Sequence, residues 1–132
     1  MYTKKVKENL DCGILVAAKV FGGKWKLCVL DAIHRGIVRP ADICRYINDA
    51  STRVIEMQLA ELLFFGVIEK CAEDTFPKKT EYKLTSLGES VLPILIQMDN
   101  WGTANSEFIK ERQKELEEIQ AAWPNIELVT SP

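Results

Sequence analysis

The chain has 132 residues, enough for one buried core and too few for two. With 47% apolar and 27% charged residues it has the make-up of an ordinary folded domain, which excludes a disordered chain. A net charge of −2 excludes a uniformly basic nucleic-acid binder, and no apolar run is long enough to span a bilayer.

Charge is unevenly spread. Residues 105–132 carry six acids and three bases, a net −3, which leaves about +1 for residues 1–104. DNA binding needs a basic local face rather than a basic whole. The cysteines at 12, 28, 44 and 71 form no Cys-x-x-Cys pair. No apolar leader follows Met1-Tyr2-Thr3-Lys4-Lys5, so reduced thiols in a cytoplasmic protein are expected.

The first predicted element is a helix in which Ile14, Ala17, Ala18 and Phe21 follow the spacing of one buried face, ended by Gly22-Gly23. A second helix repeats that spacing through Trp25, Cys28, Val29 and Ala32 and stops at His34-Arg35-Gly36. On this pattern Cys28 belongs to the buried side and Trp25 is the large apolar anchor between the helices. Pro40 opens a short helix to Asn48, with Ile43 and Ile47 inward. After Asp49-Ala50, Ser51 caps a helix reaching Phe65, with Ile55, Leu59 and Leu62 stacked on one side and Gly66 as terminator. Two short helices across so brief a turn are a helix-turn-helix.

Two strands follow, Val67 to Cys71 and Glu81 to Leu84, joined by a polar, turn-prone stretch. Thr85 or Ser86 then caps a helix through Leu87, Val91, Leu95 and Met98, which Pro93 should bend. A separate polar helix is expected from Ser106 to Ala122. The fold class is therefore mainly α with a small β-hairpin wing: a winged helix-turn-helix over residues 1–104. It carries additional C-terminal dimerisation helices, and residues 105–132 form a C-terminal helical extension and tail.

Several stretches, in this order, resemble the HxlR family of winged-helix regulators, relatives of the MarR group. They are Cys12 ahead of the first helix, Gly22-Gly23-Lys24-Trp25, and the leucine spacing from Ser51 to Gly66. Glu81 to Gly88, Leu92-Pro93 and Trp101-Gly102 continue the likeness. Two departures stand out: Cys12-Gly13 where the family often has Cys-Pro, and Phe76-Pro77 where it often has Pro-Pro.

The resemblance implies a transcriptional regulator that binds double-stranded DNA as a homodimer on a pseudo-palindromic operator. In this motif the start of the second helix meets base edges in the major groove, which selects Ser51, Thr52, Arg53, Glu56 and Met57. Arg53 can bond guanine bidentately, and Glu56 can accept from cytosine N4 but also repels phosphates. Lys78 and Lys79 near the wing tip suit phosphates or the minor groove, and Arg39 and Arg45 are weaker candidates for phosphates. In some family members the cysteine matching Cys12 senses oxidants or electrophiles by joining a cysteine of the other subunit. The dimer is expected through Leu15, Leu95, Met98, Trp101 and Phe108. No cofactor, metal site, membrane partner or catalytic motif is expected, and the effector is not legible. The near-neutral charge and acidic tail keep a second class open, a winged-helix module that binds another protein.

Overall fold

The computed structural model describes residues 10–72 and 79–125. The elements are α1 (Gly13–Phe21), α2 (Lys26–His34), α3 (Pro40–Tyr46), α4 (Thr52–Phe64), β1 (Ile68–Ala72), β2 (Thr80–Leu84), α5 (Ser86–Glu89) and α6 (Leu92–Ala122). They fall into two compact units that divide at Leu95 and Ile96, inside α6. No helix among the described residues is long and apolar enough to cross a membrane.

The core of the first unit is built where the sequence pattern places it. Val29, Leu30, Ala32 and Ile33 from α2 meet Ile43 and Ile47 around α3, and Ile55, Leu59 and Leu62 from α4. Val67 and Ile68 close the core from the hairpin, and Val91 and Leu95 from the α6 side. Burying each of these side chains contributes about 1.5–3 kcal/mol for the larger aliphatics.

Helix ends follow local chemistry. Ser51 accepts the Val54 N–H at 3.2 Å, satisfying one of the donors left without an intrahelical acceptor. At the other end of α4, Gly66 adopts φ +75°, a left-handed conformation that a side chain resists. Gly66 N–H then donates to Leu63 and Val67 N–H to Leu62, the paired bonds of a Schellman cap. The same cap, at Gly36, ends α2.

The hairpin is antiparallel with Ile68 opposite Leu84 and Ala72 opposite Thr80. It is fixed to the helices by main-chain bonds at two points. Tyr82 N–H donates to Val38 at 2.9 Å, and Thr85 N–H donates to Val67 at 3.2 Å. Lys26, at 8% exposure, is a charged side chain held in the core; Glu61 lies 2.5 Å from its ammonium and ties α2 to α4.

Five expectations are corrected. No residue of α1 is buried: Ile14 is 80% exposed, Ala18 is exposed, and Val20 and Phe21 are its residues packed against the core. A nine-residue helix that meets the core mainly through its last residues leaves Ile14, Leu15 and Val16 exposed. Cys28 is exposed rather than buried, because Leu30 and Ile33 turn the buried stripe of α2 away from it. Leu87 is exposed, and Gly88 takes the inward place of its short helix. Pro93 does not bend a helix. It is the second residue of α6, where no intrahelical acceptor awaits its missing N–H, and the break falls ahead of it at Ser90 and Val91. The expected final helix from Ser106 is part of that same continuous α6.

Candidate nucleic-acid interface

α4 divides cleanly by its own periodicity. Ile55, Leu59 and Leu62 face the core, so Thr52, Arg53, Glu56 and Met57 are turned out by the 3.6-residue repeat, and all are exposed. Ser51 is exposed too, but its hydroxyl oxygen is engaged as the helix cap. Arg53 has no ion-pair or hydrogen-bond partner among the described residues, which leaves its guanidinium available. Ala60 and Phe64 continue the outward line; Phe64 is 77% exposed and meets the Phe65 ring edge-on. Neither was legible as part of that face, since an alanine and a phenylalanine at a helix end signal core as readily as surface.

Thr52 and Glu56 share an open hollow with Pro40, Ala41, Cys44 and Arg45 from α3. The hollow brings the start of α4 and one side of α3 onto one surface. Arg45 is ion-paired with Asp42 beside it. Arg39, just ahead of α3, reaches Glu81 of the wing at 3.5 Å. Glu81 escaped notice in the sequence, because its partner lies 42 residues away along the chain. Exposed ion pairs of this kind contribute only about 0–1 kcal/mol, so a phosphate can displace either carboxylate.

Glu56 has a second neighbour. Burial, and after it the Glu56 carboxylate, push the Tyr82 phenol above its usual range. Tyr82 packs against the core from β2. That influence of Glu56 couples α4 to β2 electrostatically. The face is thus mixed in charge, with Arg53 and Glu56 a turn apart, and not continuously basic.

Lys79 is exposed one residue ahead of β2, at the end of the hairpin away from the core. Lys78 lies outside the described residues. Lys83 pairs across the strands with Glu69 at 3.0 Å, a bond that raises its ammonium above the usual range. Lys24 rests over the Trp25 ring, 4.9 Å from its centre, which holds it as a helix-start residue.

The four cysteines are free thiols. Cys12 is half-exposed at the N-cap of α1, and Cys44 is half-buried against the core. Partial desolvation, and next the Asp31 carboxylate, push the Cys28 thiol up. No cluster of metal-ligating side chains occurs among the described residues.

The pattern of the HxlR-like helix-turn-helix family matches residues 20–113. The chain belongs to the HxlR family. Among its relatives, the HTH-type transcriptional regulator YkvN of Bacillus subtilis (strain 168) is 35% identical over 95 residues, covering 72% of this chain and 80% of that one. The reduced form of the redox regulator HypR superposes with a TM-score of 0.70 at 29% identity, covering 76% of this chain and 99% of HypR. Its oxidised form superposes at 0.67 with 32% identity, covering 71% and 97%. These neighbours share the winged-helix architecture.

One expected interface residue has another role. Leu95 is 8% exposed and belongs to the core of its own chain, because it lies one helical turn from buried Val91 on the inward side of α6. Leu15, Met98, Trp101 and Phe108 are all exposed, at 50%, 54%, 66% and 63%.

Proposed function

We propose that this HxlR-family chain is a transcriptional regulator that binds double-stranded DNA sequence-specifically as a homodimer. The observation that carries the proposal is α4 itself. It is capped at Ser51 and anchored by Ile55, Leu59 and Leu62, and it presents Thr52, Arg53, Glu56 and Met57 outward beside a hairpin bonded to the same core. Residues at the start of such a helix read base edges, and two copies about 34 Å apart read successive major grooves. Arg53 is assigned to a guanine edge. Lys79 and Arg39 are assigned to phosphates, Arg39 by exchanging Glu81 for a phosphate oxygen. Glu56 serves as a filter that admits a cytosine amino group and rejects close phosphates. Leu15, Met98, Trp101 and Phe108 are assigned to the dimer contact, since an exposed tryptophan and phenylalanine on one helix are poorly explained in a lone chain.

The test is a salt-titrated binding assay on the DNA upstream of the protein's own gene. Arg53→Ala is expected to erase sequence preference, whereas Lys79→Ala weakens all sequences alike and lowers the salt slope by about 1. Equal effects of the two substitutions would overturn the assigned roles. Absence of any DNA affinity at low salt would favour a protein-binding module instead.

A redox response through Cys12 is the second reading. It is supported by the half-exposed thiol at the start of α1 and by the structural likeness to a redox regulator known in reduced and oxidised forms. Mild oxidation should change DNA affinity in the native protein and leave Cys12→Ser unaffected; an unchanged response in that variant rules Cys12 out.

A further inference from the structure

Two carboxylates hold arginines near the start of α3, and they do so differently. Asp42 pairs with Arg45 three residues along the same helix, a local contact that α3 carries with it. Glu81 pairs with Arg39 from 42 residues away, between β2 and the segment leading into α3. The residues beside this pair are joined through the main chain, because Tyr82 N–H donates to Val38 at 2.9 Å. In the hairpin Glu81 stands opposite Cys71, which offers it no cation. Its carboxylate is therefore mounted on backbone that both β1 and the α3 approach hold in place. Arg39 is the movable member, a long side chain that is 41% exposed.

The pair is loose. At 3.5 Å it is at the far limit of a hydrogen bond, so charge rather than a directed bond holds it. It also stands at the edge of the surface that α4 presents. Pro40 and Ala41, which follow Arg39, line the hollow shared with Thr52 and Glu56. A carboxylate and a phosphate offer a guanidinium the same thing, a pair of acceptor oxygens that its fork can take together. A phosphate arriving at this edge meets an arginine that is already neutralised. When Arg39 turns outward its ion pair is lost, so the contact gains only the difference between phosphate and carboxylate. That loss does not depend on base identity, so it applies to every DNA sequence alike.

We propose that Glu81 is a built-in competitor for DNA phosphate, one that occupies Arg39 in the free protein and sets the DNA affinity below what the cations alone would give. This rests on the DNA-binding reading above. The test is a salt-titrated binding assay with two duplexes, the DNA upstream of the protein's own gene and a random sequence of equal length. Glu81→Gln keeps the shape of the side chain and removes its charge, and its thermal melting should match the native chain, since exposed pairs add little stability. It should tighten binding to both duplexes about threefold to fivefold and steepen the salt dependence by about one phosphate contact. In a chain that already carries Arg39→Ala, Glu81→Gln should have no effect. Glu115→Gln removes the same charge from α6 and unpairs Arg112, and should leave both affinities unchanged. A native chain with no DNA affinity at low salt would sink the DNA-binding reading and the competitor together. A native chain that binds DNA as well as the Glu81→Gln chain, or better, would overturn the competitor alone and leave Glu81 a structural partner of Arg39. A gain that persists without Arg39 would also overturn it, because Glu81 would then act by plain repulsion. An equal gain from Glu115→Gln would do the same, because net charge would then be the cause.

Discussion

Replacing glycine by alanine should have opposite signs at two positions of this chain. At Gly88 an added Cβ would lie 2.0 Å from the Val67 carbonyl oxygen, 3.0 Å from its carbon and 3.4 Å from the Leu84 Cβ. The first two are backbone atoms of the segment leading into β1, so no flexible side chain can yield. The α5 turn must instead move off the hairpin. That movement strains the Thr85 N–H bond to Val67 at 3.2 Å and the Thr85 hydroxyl bond to Gly66 at 2.6 Å. Overpacking costs about 1–3 kcal/mol, and one weakened hydrogen bond about 1 more. For a domain of this size the sum lowers Tm by ~10–20 °C. At Gly102 nothing lies within 4 Å of an added Cβ, and the residue is inside α6. There alanine should raise helix stability by up to about 1 kcal/mol. Thermal unfolding followed by circular dichroism measures both. A Gly88→Ala protein that melts with or above the native chain would refute the close packing of α5 on Val67, and with it the account of how the wing is seated.

Glu61→Gln should destabilise the fold by about 2–3 kcal/mol in denaturant titration, because it strands the Lys26 ammonium in the core, discounted for the partial exposure of Glu61. Lys26→Met combined with Glu61→Leu should recover most of that loss; no recovery would mean the pair is not the cause. Ser51→Ala removes the acceptor for Val54 N–H and should cost about 1 kcal/mol, read as a shifted denaturant midpoint with unchanged slope. The Cys28 thiol is raised by desolvation and by Asp31, which favours the protonated form in the folded state. The stability this shift contributes is full below the unfolded thiol's pKa and is lost as pH rises through the raised folded value. Asp31→Asn should therefore speed alkylation of Cys28 at a fixed mildly alkaline pH, and an unchanged rate would exclude the carboxylate as a cause.

The sequence by itself determined the helix-turn-helix. Proline at a first turn, serine at a cap, glycine past a helix end and isoleucine and leucine at helical spacing are local signals, and Pro40, Ser51, Gly66, Ile55 and Leu59 all do in the structure what those signals require. The outward side of α4 follows from the inward one, so Thr52, Arg53, Glu56 and Met57 were legible as a face before any tertiary contact was known. What only the tertiary structure decided are properties of pairs distant in sequence. Apolar spacing in α1 could not say that Ile14, Leu15 and Val16 stay exposed. Nothing local marks Lys26 as the buried partner of Glu61, Arg39 as the partner of Glu81, or Glu56 as the neighbour of Tyr82. Pro93 reads as a kink or as a helix start according to whether the turn before it is helical, and the packing of Gly88 on Val67 settles that by closing the preceding helix. Leu95 and Met98 look alike as apolar residues one turn apart, yet one faces the core and the other solvent. Periodicity gives a helix its two sides; which of them is covered, and by what, depends on the rest of the fold.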